Sequence, residues 1–379
     1  MNWPLNVNNF TFLDKLKISF FILNPNSRWT QDKKVKQFEE EMASFIGSKY
    51  AVFCSSGSTA NTMLAMMLKD KNKEKKTIIF PSTTWTTSIS PFIREGFVPK
   101  FVDVNLDDFS FNYDQLEEVL KTNEDIACIF ATSLLGFVPD LNKLKQLSDK
   151  YSVKLMLDNC ENTFGKFEGK NVSSFATSTT STYFGHQLQS IEGGFVFTNS
   201  KEEYDYCLML RNHGMTRSVS DSNQYRNNDV DGRFDFYCLG NNFRNTDLNA
   251  FIGLIDFSKK ERYITKRKNI YDLFSSKLNS KYILPHTFNN REASAFSLPI
   301  IFKNSQKKKE ALKYCDDQGI ETRPIISGNL LRQTCYKDFA SYKNFPMSEL
   351  LHQNGFYVGL HAKLTEKQVE ELVNYLNNL

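Results

Sequence analysis

From about residue 50 to about residue 200, short apolar runs alternate with helix-spaced stretches, and this alternation most constrains the fold. The runs are "YAVFC", "TIIFPS", "VPKFVDV", "IACIFAT", "VKLMLDN" and "GGFVFTN". They are short and continuously apolar, as strands are when helices cover both faces of a sheet. Between them stand "SSGSTANTMLAMMLKD", "YDQLEEVL" with Asp114 near its start, "DLNKLKQLSDKY" and "KEEYDYCLMLRNHG", all with helical spacing. Upstream, "VKQFEEEMASFIG" puts Val35, Phe38, Met42 and Phe45 on one helix face and stops at Gly47. The pattern predicts an α/β fold with a mainly parallel central sheet and helices on both faces.

After "TDLNAFIGLIDF" a long polar helix, "KKERYITKRKNIYDLFSSKL", leads into a different pattern. It comprises the strand "AFSLPIIF", the helix "KKEALKYCDDQG", the strand "IETRPI" and a helix from "TEKQVEELVNYLNNL". The chain of 379 residues is too long for one simple core. We expect a large α/β domain over 1–256, with its N-terminal segment, and a smaller α+β domain over 257–379.

Charge narrows the partners. Lys plus Arg is 47 and Asp plus Glu is 43, a net of +4. That balance argues against nucleic acid and against an anionic membrane surface. The lysine clusters "KDKNKEKK" (69–76) and "KNSQKKKE" (303–310) read as solvated helix ends or loops. The seven cysteines are odd in number and scattered, several of them in apolar runs. No C-x-x-C pair occurs, so no metal site or iron–sulfur cluster is expected. The opening residues lack a secretion-signal pattern, and "ISFFIL" (18–23) is too short to span a bilayer. A cytoplasmic protein with reduced thiols is expected.

In sheets of this kind, ligands bind beyond the carboxyl ends of the strands. Four stretches fall there. "SSGST" offers Gly57, Ser58 and Thr59 at a helix start, where N–H groups and hydroxyls can hold phosphate. Many such turns bind nothing. Trp85 follows a strand in "PSTTWTTS" and can stack on a flat ring or simply anchor packing. Asp158 ends "VKLMLD"; it can cap a helix, or hold a proton on a heteroaromatic nitrogen. The fourth stretch, "STYFGHQLQSIEGG", carries Ser181, another phosphate donor, and His186. A lone His at a turn is usually idle. As a set, these residues suit pyridoxal phosphate (PLP), whose ring serves as an electron sink.

The motifs also resemble a known family. "RWTQDKKVKQFEEEMASFIG", "SSGSTANTMLAMML", "FPSTTWTTSI", "LMLDN", "STYFGHQLQSIEGGFVFT", "LRNHGMTR" and "NNFRNTDLNAFIGL" occur in the order found in the fold type I PLP-dependent sugar aminotransferases. They cover nearly the whole chain. Those enzymes hold PLP covalently through a Lys at the position matching His186. The chain therefore resembles the subgroup in which His replaces that Lys, the sugar 3-dehydratases of the GDP-4-keto-6-deoxymannose 3-dehydratase type. "ETRPIISGN" (321–329) looks like the same subgroup.

The resemblance implies cofactor held without a covalent bond, as PLP or as pyridoxamine phosphate (PMP). It implies glutamate as amino donor, and a nucleotide-linked 4-keto-6-deoxy sugar as substrate. His186 would act as the base while the C3 hydroxyl departs, giving ammonia and a 4-keto-3,6-dideoxy sugar for deoxysugar biosynthesis of the lipopolysaccharide O-antigen kind. Asn242 would reach the cofactor phosphate of a partner subunit, which implies a homodimer with shared active sites. His213, Arg323 and Asn329 would contact substrate, with Glu161 and Glu192 behind the site. Two alternatives stand beside this. One is an ordinary sugar aminotransferase with its Lys elsewhere, although Lys166 and Lys170 are poorly placed. The other is an inactive protein of this fold that binds sugar nucleotides. The residues do not choose among GDP, CDP and dTDP.

Overall fold

The computed structural model describes residues 2–72, 74–286 and 288–379. Position 73, inside the first lysine cluster, lies outside them. Two helices, α1 (Phe12–Leu23) and α2 (Lys33–Ile46), come first. Then follow β1 (Tyr50–Cys54), α3 (Gly57–Lys71), β2 (Thr77–Pro81), α4 (Ser90–Arg94), β3 (Val98–Val102) and α5 (Tyr113–Thr122). The chain continues through β4 (Ile126–Thr132), α6 (Leu141–Lys150), β5 (Lys154–Asp158), β6 (Lys166–Phe167), β7 (Lys170–Asn171), β8 (Thr177–Ser181) and β9 (Gly194–Thr198). Helices α7 (Lys201–Arg211), α8 (Asp247–Phe257) and α9 (Lys260–Lys277) lead to the remaining strands.

The central sheet has the order β1-β9-β8-β5-β4-β2-β3. From β3 across to β8 every pairing is parallel, whereas β9 runs antiparallel to both β8 and β1. The connections explain this. A parallel neighbour needs a crossover, usually a helix, but only the short loop 182–193 joins β8 to β9. Helices cover both faces. Met63 and Met67 of α3 pack with Leu210 of α7 on one side; Leu116, Leu120, Leu144 and Leu147 of α5 and α6 pack on the other. A third cluster joins Phe38 of α2 to Phe53 and Phe195, with ring centroids 5.1 and 4.9 Å from Phe38. Helix α2 ends where the sequence predicts: Gly47 takes φ 81° and returns its N–H to Ala43 O at 2.9 Å.

The later strands are β10 (Tyr282–Ile283), β11 (Arg291–Glu292), β12 (Ser297–Phe302), β13 (Thr322–Pro324) and β14 (Gly355–Gly359). Helices α10 (Lys308–Asp317), α11 (Pro346–Asn354) and α12 (Glu366–Asn378) accompany them. A second sheet, β10-β12-β14-β13, has a core of its own in which Phe274, Leu298, Ile300, Phe356 and Leu372 meet. The sequence analysis did not foresee α1, α11 or β14. Helix α1 is opened by a capping box between Thr11 and Asp14, yet Phe12, Leu13, Phe20 and Leu23 face solvent, so it lacks the one-sided apolar stripe.

The N-terminal segment crosses to this second sheet. Trp3 is fully buried and gives its indole N–H to Gly359 O at 2.8 Å, and Leu5 N donates to Glu321 Oε2 at 3.0 Å. Among the described residues, no helix is long and apolar enough to cross a membrane.

Candidate active site

The carboxyl ends of β4, β5 and β8, the start of α3 and the turn after β2 surround a cavity of about 630 Å³. Gly57, Ser58, Trp85, Asp158, Ser181, His186 and Arg323, all singled out in the sequence, line it. Backbone proximity builds one end. A Cβ on Gly57 would meet Cys160 Sγ at 2.6 Å and Ser181 Cβ at 2.9 Å. A Cβ on Gly194 would lie 2.4 Å from Gly57 N and from Ser56 C. Glycine at both positions lets β9, β8 and the first turn of α3 pack backbone to backbone. The leading N–H groups of α3 have no intrahelical partner and carry the positive end of the helix dipole.

Asp158 is buried and held from two sides. Its Oδ2 accepts from Asn61 Nδ2 at 2.8 Å and Ser88 Oγ at 2.7 Å; its Oδ1 accepts from Cys160 N at 3.0 Å. Asn61 is itself fixed, since its Oδ1 accepts from Thr179 Oγ1 at 2.7 Å. Trp85 stands half exposed at the cavity edge. Ser58 Oγ donates to Thr87 Oγ1 at 2.9 Å.

His186 is half-buried in the opposite wall, and its Nδ1 bonds to the carbonyl oxygen of Cys160. A carbonyl only accepts, so Nδ1 carries the proton and Nε2 is the free basic nitrogen. Burial holds the imidazole pKa below its ordinary value; the Cys160 carbonyl and Asp158 oppose that shift and Arg267 adds to it. Nearby, burial pushes the Glu161 carboxyl up to about 8, with Leu135 N–H opposing and Asp158 adding. Glu161 Oε2 accepts that N–H at 2.6 Å. Burial thus favours the neutral carboxyl of this cavity-wall residue. Two more wall residues, Thr132 and Ser297, are buried with hydroxyls that find no partner in the protein. Orphaned buried hydroxyls at a cavity wall suit a bound polar molecule.

Four candidates lie outside the wall. Thr59 turns its hydroxyl into the capping box with Ser56, accepting from Ser56 N at 3.0 Å and donating to Ser56 O at 2.9 Å. Asn329 is fully buried and spent in the fold: its amide donates to Tyr342 O at 3.0 Å and Glu349 Oε2 at 3.3 Å, and its Oδ1 accepts from Leu331 N at 3.2 Å. His213 sits at φ 62° with its N–H on Asn241 O at 2.8 Å. Asn242 is exposed and bridges to Asn212. Conversely, the sequence analysis passed over Asn61, Thr132, Ser297 and Tyr357, which line the cavity. Asn61 carried a faint signal: a polar residue inside an apolar helix. Among the described residues, no lysine lines the cavity.

Fold and site together are those of an aminotransferase-type α/β protein. The chain belongs to the DegT/DnrJ/EryC1/StrS aminotransferase family, whose profile matches residues 22–377. The GDP-4-keto-6-deoxy-D-mannose 3-dehydratase of Escherichia coli O55:H7 is 29% identical to it over 375 residues, covering 95% of this chain and 96% of that protein. The solved structure of an E. coli GDP-4-keto-6-deoxy-D-mannose-3-dehydratase with bound hydrated PLP matches at a TM-score of 0.91 with 27% identity, over 99% of each chain. A GDP-4-keto-6-deoxymannose-3-dehydratase structure with a trapped PLP-glutamate geminal diamine matches at 0.90 with 28% identity, over 99% of this chain and 100% of that one.

Proposed function

We propose that the chain is a PLP/PMP-dependent dehydratase. It removes the C3 hydroxyl from a nucleotide-linked 4-keto-6-deoxyhexose of the GDP-4-keto-6-deoxymannose kind, with glutamate as amino donor. The observation that carries this reading is His186: an imidazole with its Nε2 free stands in the wall of a cavity that no described lysine lines. The named activity of the similar dehydratases supports the substrate class, and the glutamate adduct in one of them supports the donor.

The residues fit the cofactor. Gly57, Ser58 and Ser181 offer N–H and hydroxyl donors for a phosphate at the start of α3. Trp85 offers a ring face, and the anchored Asp158 carboxylate favours a protonated ring nitrogen. PLP, when bound, supplies an electron sink for the pair left behind as a carbon loses its proton. His186 Nε2 takes that proton and returns it; its lowered pKa keeps it neutral and ready near pH 7. Lacking an amino group, His186 cannot anchor cofactor covalently, so binding rests on the phosphate cradle and Asp158. Arg323 lines the cavity with its guanidinium donating to Glu321 Oε1 at 2.7 Å and Thr322 O at 2.9 Å, and it is the cation we assign to the substrate. Overall, glutamate is oxidised to 2-oxoglutarate, the sugar loses one oxygen, and nitrogen leaves as ammonia.

The same reading takes the protein as a cytoplasmic homodimer in which Asn242 of the partner subunit reaches the phosphate. Trp29, Ile191, Phe236 and Leu239 are exposed apolar residues of the kind such an interface would cover. It divides the chain at 256/257, close to the α8–α9 junction, with the second sheet's own core in support.

The test is incubation with PLP, glutamate and GDP-, CDP- or dTDP-linked 4-keto-6-deoxy sugars, followed by mass analysis of the products. Loss of the C3 oxygen with ammonia release is the expected result. An amino sugar would mark an aminotransferase; binding without turnover would mark an inactive binding protein.

A further inference from the structure

The loop carrying His186 is tied from beneath by a carboxylate that does not line the cavity. Asp256, in the last turn of α8, is fully buried. Its Oδ2 accepts the backbone N–H of Gln189, three residues past His186, at 3.0 Å. Gln189 also donates its side-chain amide to Val7 O at 3.1 Å, and Gln187 donates to Ser294 O. The rest of the loop closes on itself: His186 N reaches Tyr183 O at 2.9 Å, Phe184 N reaches Ile191 O at 3.1 Å, and Thr182 N reaches Gly193 O at 2.8 Å. The ring is hydrogen-bonded at Nδ1 and packs against Tyr183 and Phe296, with ring centroids 5.8 and 5.5 Å away; Tyr183 belongs to the same loop. The aim of Nε2 therefore depends on where these ties hold the loop backbone.

Burying a carboxylate is costly unless its surroundings compensate. Compensation at Asp256 is partial. Its Oδ1 finds no donor, and burial lifts its pKa to about 6 against the opposing effects of Gln189 N–H, Lys259, Tyr263 and Arg267. Arg267, on α9, is also buried and has an unpartnered Nε. Its positive charge acts on His186 as well, in the direction opposite to Asp158. An apolar residue at 256 would avoid this cost but would leave Gln189 N–H unpaired.

We propose that Asp256 is a positioning residue for His186, fixing through Gln189 N–H the limb of the loop that aims the imidazole into the cavity. The inference rests on the dehydratase reading.

Two variants of the full-length protein and two readouts test it. With PLP, glutamate and the GDP-linked 4-keto-6-deoxy sugar, Asp256→Ala is expected to lower kcat on the order of 10–100-fold. KM should stay unchanged, because the lost contact orients the base and does not bind substrate. Asp256→Asn keeps an acceptor oxygen and should recover most of kcat. The second readout is the NMR signature of the His186 ring nitrogens in cofactor-free protein, assigned by comparison with His186→Asn. Wild type and Asp256→Asn should hold the proton on Nδ1, while Asp256→Ala should average between tautomers. A merely structural Asp256 would shift the melting temperature and leave both the kcat/KM split and the tautomer unmoved. Wild-type kcat with an unchanged tautomer in Asp256→Ala would overturn the proposal, as would an Asp256→Asn variant no better than Ala. If Asp256→Ala does not fold, the similarly sized Asp256→Leu, which also lacks an acceptor, takes its place: loss of kcat and of the single tautomer supports the proposal, and wild-type behaviour overturns it. If wild type does not dehydrate the sugar, the functional reading fails, and the tautomer readout still judges the positioning.

Discussion

His186 Nδ1 donates to the carbonyl oxygen of Cys160, two residues beyond Asp158. One bond thereby sets the tautomer of His186, the proposed base, and ties it to the strand end that carries Asp158, the carboxylate proposed to face the cofactor. Burial holds the His186 pKa down, and a base acts when neutral. Activity should therefore rise with pH through a limb centred below about 6.5, the ordinary histidine value, and be level by pH 7. A pH–rate profile of kcat checks this; a limb centred above that value would contradict it.

His186→Asn removes the basic nitrogen and keeps a polar side chain of similar reach. Dehydration should fall by about 10²–10⁴-fold, the usual contribution of a positioned base. Cofactor retained after gel filtration, read by absorbance, should match wild type. Because no described lysine lines the cavity, dialysis should strip PLP from both proteins alike. Full activity in the variant would remove His186 from the mechanism.

Glu161 gives a stability signature. The unfolded chain ionises this group near its ordinary pKa of 4.5, whereas the native protein keeps the proton up to about 8. The native state thus binds the extra proton between those values, and stability contributed at low pH is lost as pH rises from 4.5 toward 8. Thermal melts of the cofactor-free protein between pH 5 and 8 should show that decline, and Glu161→Gln should flatten it. Equal slopes in the two proteins would mean that the carboxyl is ionised in the native state.

The glycines packed at the start of α3 should both be costly to replace. The extra methyl in Gly57→Ala meets side-chain atoms first, Cys160 Sγ and Ser181 Cβ. In Gly194→Ala it meets the backbone of Ser56 and Gly57, which cannot rotate away. Overpacking costs about 1–3 kcal/mol. Cys160 Sγ can turn aside but Ser181 Cβ is fixed to its backbone, so we expect both variants near or above the upper figure, Gly194→Ala the costlier, and weakened PLP affinity in both. Denaturant melts and PLP titration check the order.

Part of this site was legible because strand ends are local features. Asp158 ends an apolar run, Trp85 follows one and Ser181 ends the Ser/Thr strand 177–181; the sheet brings such ends together whatever the intervening sequence. Gly57 and Ser58 were legible as a turn opening a helix. Their neighbour Thr59 was not separable from them, since only the folded turn shows its hydroxyl directed back to Ser56. Asn329 and His213 lie in motifs that resemble the family's, yet Asn329 is consumed by a local cap. Asn61 and Asp256 escaped notice for the opposite reason. Their partners, Asp158 and Gln189, lie 97 and 67 residues away, and no spacing rule spans such a gap. The antiparallel turn of β9 was likewise hidden, because a continuous apolar run does not state its direction.

The tie between Trp3 and Gly359 joins positions 356 residues apart. Contacts of that span are among the slowest for a chain to close. Leu5 and Asn6, which follow Trp3, form part of the cavity wall. Residues 3–6 therefore take their place only once a strand lying 356 positions further along has formed, so a chain caught between the two carries His186 in a cavity still open on that side.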